Sequence, residues 1–274
     1  MFTRLVLVIV LVSGLAACQG LPDLSIPQAT SPATPVGGGL PPSTAAPSGP
    51  VAPVSTPLKG EEGTSQPVTL EVKVIEETSQ SPEFNVKARY PYLAGGGSPY
   101  LASFNQTIEA LVFAEIGQFA QVVGTSAEQT GMLQIDFLPA LVSPQLVSIQ
   151  LKVTTYLQGA AHLNTTSRAL NYDLQAGHTL ALADLFRPGS PYLQTISDAC
   201  LQDLRARQVL TWEDGALPRE ENFQVWNLTP EGLLVTFDEY RVTDYNAGPQ
   251  TVLIPYTAFQ DIAAPGGPLS LFMK

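Results

Sequence analysis

The composition of the chain changes abruptly at residue 67, and this change limits which part can fold. Residues 19–67 contain eleven prolines and no aromatic residue, and Ser, Thr, Ala and Gly fill most of the remainder. Such a segment cannot bury enough apolar surface to offset the entropy lost on ordering it. We therefore predict a disordered tether, which as a flexible coil would span roughly 40 Å, followed by a folded domain over residues 68–274.

The first eighteen residues have the organisation of a secretory signal peptide. One positive charge, Arg4, precedes an apolar run over residues 5–12, and small residues then lead into a Leu-Ala-Ala-Cys sequence that ends at Cys18. A basic start, a short apolar run and a small-residue cleavage region are typical of export signals. The run is too short for a transmembrane helix, which needs roughly 20 residues.

The Leu-Ala-Ala-Cys sequence resembles the bacterial lipobox, at which the cysteine thiol is acylated and the signal peptide is cleaved. We predict that residues 1–17 are removed, that Cys18 is the lipidated start of a linker over residues 18–67, and that the domain faces the extracytoplasmic side of the cell membrane. Two or three acyl chains would hold the protein there, since a single chain binds only marginally. An ordinary signal peptide with a chance cysteine is the alternative.

The charge of the chain limits its partners. The formal net charge is −11, and loss of Arg4 with the signal peptide makes it more negative by one. An acidic chain without a basic patch is not expected to bind nucleic acid, and an anionic membrane would repel it, so the lipid has to provide the anchoring. Acidity attracts cationic partners, although it could also serve only to keep the domain soluble.

Two kinds of apolar spacing predict the elements of the domain. Alternation typical of strands occurs over residues 68–74, 84–90, 132–138, 146–157, 165–174, 222–228, 233–240 and 251–256. Helical spacing predicts one helix that starts at Ser98-Pro99 and ends at Gly124, and a second over residues 191–209, with Ser98 and Ser190 as N-caps. This order of elements predicts one α+β domain with a mainly antiparallel sheet and two main helices.

Sequence patterns for catalysis or cofactor binding are absent. The chain has no nucleophile elbow, phosphate-binding loop or paired-histidine zinc motif. His162 and His178 are its only histidines, and a zinc site needs three or four ligands. Cys200 lies on the apolar stripe of the second predicted helix, so we predict a buried structural thiol. The domain is therefore expected to be non-enzymatic and to carry no metal or cofactor.

Two segments resemble a known family. Residues 159–162 read Gly-Ala-Ala-His directly after a strand, and residues 237–248 read Phe-Asp-Glu-Tyr-Arg-Val-Thr-Asp-Tyr-Asn-Ala-Gly. Together they resemble domain of unknown function 3298 (DUF3298), and the region around Tyr90-Pro91 is similar to its N-terminal partner, domain of unknown function 4163. The family includes the extracellular part of a lysozyme-binding anti-sigma factor, part of a peptidoglycan deacetylase and a secreted mycobacterial antigen. The resemblance implies an envelope-facing α+β module.

The candidate binding residues come from these two segments, and they are Gly159, His162, Tyr240, Tyr245 and Gly248. We expect a lipoprotein with a binding domain whose ligand is a cationic protein such as lysozyme, or peptidoglycan. One alternative is a wall hydrolase with His162 as the base, assisted by Asp184 or Asp238. Another is a structural module that assembles with other envelope proteins.

The anchor prediction can be tested by removing the thiol. We expect Cys18→Ser to give a soluble or unprocessed chain, because no acyl group can be attached. Cys200→Ser is the matched control and should remain with the membrane. Fractionation of cells with a carbonate wash measures the difference, and retention of the Cys18→Ser chain in the washed membranes would contradict lipidation.

Overall fold

The computed structural model describes residues 67–125 and 130–273. The predicted signal peptide, the predicted lipidation site Cys18 and the predicted tether up to residue 66 lie outside the described residues. No helix within the described ranges is both long and apolar enough to cross a membrane.

Six strands of the described chain form the larger sheet, in the spatial order in which they follow one another in sequence. They are β1 (Val68–Gln80), β2 (Glu83–Gly95), β3 (Gly131–Val142), β4 (Leu146–Leu157), β5 (Asn164–Asp173) and β6 (His178–Thr179). Every neighbouring pair is antiparallel except β2 and β3, which run parallel. Parallel neighbours need a long crossover, and helix α1 (Leu101–Gly124) lies between these two strands in the sequence.

Helix α1 covers one face of this sheet. The predicted apolar stripe is confirmed, since Phe104, Ile108 and Val112 are fully buried in the core beneath the helix. Asn105 is also buried, and its amide group accepts from the backbone N–H of Leu93 at 2.8 Å and donates to the Leu93 carbonyl at 2.9 Å. The side chain therefore satisfies both backbone groups of a strand residue, as a neighbouring strand would.

A second, three-stranded antiparallel sheet follows in the chain. It contains β7 (Trp226–Leu228), β8 (Gly232–Phe237) and β9 (Gln250–Pro255). Helix α2 (Tyr192–Ala206) packs against it through Ile196, Cys200 and Leu204, which are fully buried. The α+β class, the mainly antiparallel pairing and the two main helices agree with the prediction.

The helix starts differ from the prediction. Helix α1 begins at Leu101, and its N-cap residue Tyr100 makes no side-chain capping bond. The hydroxyl of Ser98 instead donates to the Leu174 carbonyl at 2.5 Å, which ties the start of the helix to the end of β5. The N-cap position of α2 is Pro191 rather than Ser190. In both places a proline lies between the serine and the helix, and the chain is still extended or turning at that point.

The predicted strand over residues 222–228 is shorter in the structure. Residues Glu220–Asn222 form a 3₁₀ turn, and only Trp226–Leu228 pairs as a strand. The reason lies in Asn222, whose side-chain amide donates to the carbonyls of Asp214 and Leu217 at 2.8 and 3.0 Å. These bonds hold the preceding loop in place, and Asn222 therefore belongs to the loop and not to the strand.

The alternation predicted for β1 holds only for its first residues. Val72 and Val74 are 45% and 55% exposed. Side chains directly opposite each other in an antiparallel pair share a face of the sheet. Val74 lies opposite the exposed Arg89, whereas Ile75 lies opposite the fully buried Ala88. Ile75 therefore takes the core-facing position in this part of the strand, and Val74 faces solvent.

A buried polar network joins the two sheets. Ser148 on β4 donates to the amide oxygen of Asn171 on β5 at 2.6 Å, and it accepts from the amide of Asn227 on β7 at 2.9 Å. The Asn171 amide also donates to the Trp226 carbonyl at 2.8 Å, and its oxygen accepts from the Leu228 N–H at 3.3 Å. The three polar side chains are at most 3% exposed, so these bonds fix where β7 lies on the larger sheet.

The network should be costly to break. We expect Asn171→Leu to lower the free energy of unfolding by about 3 kcal/mol, because Ser148 and two backbone groups of β7 lose a partner while they stay buried. Urea unfolding followed by circular dichroism measures this. Asn164→Leu, at the exposed start of the same strand, is the matched control and should change stability little. Equal stability of the two variants would show that the network does not hold the sheets together.

Candidate functional site

Three of the predicted binding residues stack on one another at the surface. The rings of His162 and Tyr245 lie 4.1 Å apart between centroids with planes 29° apart, and those of Tyr245 and Tyr240 lie 6.0 Å apart with planes 28° apart. His162 is exposed, Tyr245 is half-buried and Tyr240 is 56% exposed. We refer to these three side chains as the aromatic platform. It brings together residues separated by about eighty positions in the sequence.

The turn between β4 and β5 carries the histidine. Gly159 has a φ of +89°, and the N–H of Ala160 donates to the Leu157 carbonyl at 2.9 Å. A residue with a side chain rarely adopts this φ, which explains the glycine. The Nδ1 atom of His162 lies 2.9 Å from the Leu163 carbonyl. This contact orients the imidazole so that one face of the ring stacks on the ring of Tyr245.

The loop after β8 carries the two tyrosines. Asp244 accepts from the N–H groups of Asn246 and Ala247 and so caps the short 3₁₀ turn that contains Tyr245. Gly248 ends this turn with a φ of +66°. Tyr240 has a φ of +64°, a left-handed conformation that costs a residue with a side chain about 1 kcal/mol. Strain of this kind is concentrated at functional sites.

The structure assigns different roles to the five predicted residues. His162, Tyr240 and Tyr245 are in contact through their rings. Gly159 and Gly248 contribute backbone conformations that shape the two turns, and the position of a Cβ atom on either glycine is open space. The platform itself is therefore aromatic, and the two glycines shape the turns that carry it.

A cleft of about 510 Å³ lies beside this segment and was not predicted from the sequence. Its lining comes from α1, from β5, from the end of β8 and from two loops, and includes Leu111, Ser167, Arg168, Ala169, Asn222, Thr236, Phe237, Asp238 and Arg241. Arg241 directly follows Tyr240, so the cleft and the aromatic platform share one loop. The cleft is formed by segments 71 residues apart, and no local pattern in the sequence indicates it.

Asp238 closes part of this cleft by binding the edge of β5. Both of its carboxylate oxygens lie 3.0 Å from the backbone nitrogen of Ser167, which donates to them. The guanidinium of Arg168 pairs with Glu115 of α1 at 2.6 Å. Arg241 donates to the Glu221 carbonyl and to the Asn222 amide oxygen, both at 3.1 Å. The Arg241 guanidinium therefore bonds to neutral oxygens within the described chain.

The residues weighed for hydrolysis lie in different places. Asp238 lines the cleft just described, whereas Asp184 lines another cleft, of about 320 Å³, together with His178. Asp184 also accepts from the Ala181 N–H at 2.8 Å and so caps a 3₁₀ turn. His162 belongs to the aromatic platform. Among the described residues no hydrogen bond joins His162 to Asp184 or Asp238, whose carboxylates accept from the backbone N–H groups of Ala181 and Ser167. Residues 67–125 and 130–273 contain no cluster of three potential metal ligands.

Cys200 is fully buried in the core between α2 and the second sheet, as predicted. Burial raises the pKa of its thiol to about 12, and the nearby Asp203 adds to this rise. Only the thiolate reacts with alkylating agents. Reagents therefore cannot reach the Cys200 thiol, and its reactive thiolate form is disfavoured.

The inertness of Cys200 can be measured in the Cys18→Ser chain, where it is the sole thiol. We expect no labelling by iodoacetamide at pH 8 over the time in which a free thiol reacts fully, since the thiol is buried and burial disfavours the thiolate that reacts. Complete labelling in urea serves as the control. Rapid labelling of the folded chain would contradict the buried position.

Residues 183–257 match the sequence profile of DUF3298, described as a protein of unknown function. These residues form a DUF3298 domain. The resemblance predicted for the C-terminal part is thereby confirmed, and the matched segment includes both tyrosines of the aromatic platform.

Two solved structures of DUF3298 family proteins have the same fold. One, from Bacteroides fragilis, superposes with a TM-score of 0.52 at 15% identity and covers 75% of this chain and 97% of its own. The other, from Pseudomonas aeruginosa PAO1, gives a TM-score of 0.53 at 18% identity and covers 74% of this chain and 97% of its own. At these identities the likeness concerns the fold alone.

One curated relative is a peptidoglycan-N-acetylmuramic acid deacetylase of Bacillus subtilis (strain 168). It is 26% identical over 135 residues, which is 47% of this chain and 29% of the deacetylase. The chain therefore matches less than a third of the length of that enzyme.

Proposed function

We propose that this protein is a lipid-anchored, extracytoplasmic protein of the bacterial envelope whose domain binds the glycan of the cell wall. The observation that carries the proposal is the aromatic platform. Ring faces of His162, Tyr240 and Tyr245 lie on one another at an exposed surface, with Tyr240 more than half exposed. The faces by which these rings stack on each other are covered, so a sugar ring packs its C–H face on an outer face of the stack, and the tyrosine hydroxyls can bond to its hydroxyl groups.

The adjacent cleft supplies the polar groups that a saccharide needs. Arg241 follows Tyr240 in sequence and lines the cleft with Asn222 and Gln224. Sites for small ligands combine apolar contact area with a few well-placed polar groups. A glycan strand that stacks on the platform can therefore extend its hydroxyl and acetamido groups towards the guanidinium and amide groups of the cleft.

A wall ligand also agrees with the curated relative, whose name gives peptidoglycan as its substrate. The matched part covers 29% of that enzyme. We therefore use the relative only to propose the class of ligand, and we do not propose that this protein catalyses the same reaction. The positions of His162, Asp184 and Asp238 favour binding over hydrolysis in the proposal, because a base and its assisting carboxylate have to lie within hydrogen-bonding reach of each other.

A cationic protein such as lysozyme is the second candidate ligand. The formal net charge of −11 favours it, since a strongly negative surface attracts positively charged partners over a distance. The two ligands differ in their dependence on salt. Binding driven by net charge weakens as added salt screens it, whereas stacking of sugar rings on aromatic side chains changes little.

Sedimentation of the protein with purified peptidoglycan, and titration with soluble muropeptides, test the proposal. We expect Tyr245→Ala to weaken binding roughly tenfold, because it removes the central ring of the stack, while Tyr245→Phe keeps the ring and binds nearly normally. Tyr92→Ala is the matched control, since this tyrosine is 36% exposed on β2 and is not part of the aromatic platform.

Each outcome of these measurements has a definite meaning. Wild-type affinity in Tyr245→Ala, or no binding of the wild type to wall material, would overturn the glycan proposal. Salt-sensitive binding of lysozyme without binding of muropeptides would favour the second candidate. A changed muropeptide profile that His162→Ala abolishes would support the wall hydrolase instead.

A further inference from the structure

Strand β1 is an open edge of the larger sheet along all of its 13 residues. It pairs with β2 from Val68 opposite Gly95 to Gln80 opposite Glu83. Within residues 67–125 and 130–273, no strand lies on its other side. An edge of this length presents a row of backbone N–H and C=O groups that another strand can bind.

The centre of β1 carries exposed apolar side chains as well as charged ones. Val72 and Val74 are 45% and 55% exposed on one face. Glu71 and Lys73 project from the other face, and neither forms an ion pair with a described residue. Lys73 lies over the ring of Tyr92, 4.6 Å from its centroid. The centre of the strand thus carries exposed apolar residues flanked by charges of both signs.

We propose that β1 pairs antiparallel with β1 of a second copy of this chain, about a twofold axis at Val72. In this register Val72 lies opposite the partner's Val72, and Leu70 lies opposite the partner's Val74, so the apolar residues meet on one face. On the other face Glu71 lies opposite the partner's Lys73, and the symmetry repeats this pair. Opposite charges and apolar side chains directly across an antiparallel pair are both stabilising.

The neighbouring registers are less favourable. An axis at Glu71 places two glutamates opposite each other, and an axis at Lys73 does the same with two lysines. Like charges directly opposite destabilise a strand pair. An axis between Val72 and Lys73 sets Val72 against the partner's Lys73 and Val74 against the partner's Glu71, and so brings the apolar face of one strand onto the charged face of the other. Of these axes, the one at Val72 matches both faces over residues 70–74.

Position-specific crosslinking on the full chain in detergent tests the register. Directly opposite residues in an antiparallel pair have Cβ atoms about 5 Å apart, so Val72→Cys should form a disulfide-linked dimer under mild oxidation. Val74→Cys is the matched control, because it is equally accessible but lies about 13 Å from its symmetry mate in this register. Both variants also carry Cys18→Ser, and Cys200 is fully buried, so no other accessible thiol contributes background.

Charge exchange provides the second measurement. Glu71→Lys should raise the dimer dissociation constant roughly tenfold in sedimentation equilibrium, because it creates two lysine pairs across the interface. Glu71→Lys combined with Lys73→Glu restores opposite charges and should return the constant to near the wild-type value.

Three results would overturn this pairing. They are a monomeric wild type at all concentrations up to about 100 μM, equal crosslinking through residues 72 and 74, and a charge-exchanged double variant that dimerises no better than Glu71→Lys. None of these results depends on which ligand the aromatic platform binds.

Discussion

The buried hydrogen bonds among Ser148, Asn171 and Asn227 are the interaction on which the arrangement of this domain depends. Each of the two sheets has its own apolar core, one beneath α1 and one beneath α2. Apolar contact is not directional and would permit several placements of one sheet on the other. Buried amide and hydroxyl groups need specific partners, so they select one placement, and with it the position of every loop that follows β8.

The candidate site is a consequence of that placement. Once β8 lies beside the edge of β5, the carboxylate of Asp238 reaches the backbone N–H of Ser167, and the following loop is fixed at its start. The same loop then carries Tyr240 and Tyr245 over the β4–β5 turn, where His162 meets them. The cleft and the aromatic platform thus share one structural cause, which explains why both lie along the boundary between the two sheets.

Local patterns in the sequence predicted many of the elements correctly. The stripe of α1, the buried Cys200 and the core positions Val147, Ile149 and Leu151 of β4 follow from periods of 3.6 and 2 residues. The misses have physical reasons. Val72 and Val74 alternate like core residues, yet they are exposed because Ile75 takes the core-facing position opposite Ala88. The expected N-cap of α1 is also missing, because the Ser98 hydroxyl donates to the distant Leu174 carbonyl instead of capping the start of the helix.

The sequence by itself determined the periodic elements, the turn residues and the identity of the aromatic side chains, because each of these depends on residues close together in the chain. Only the tertiary structure decided that His162 stacks on Tyr245, that Asp238 closes the edge of β5 and that a cleft opens beside Arg241. These contacts join segments about seventy to eighty residues apart. Which distant segments meet is set by the pairing of strands and by buried polar partners, and local propensities do not encode either.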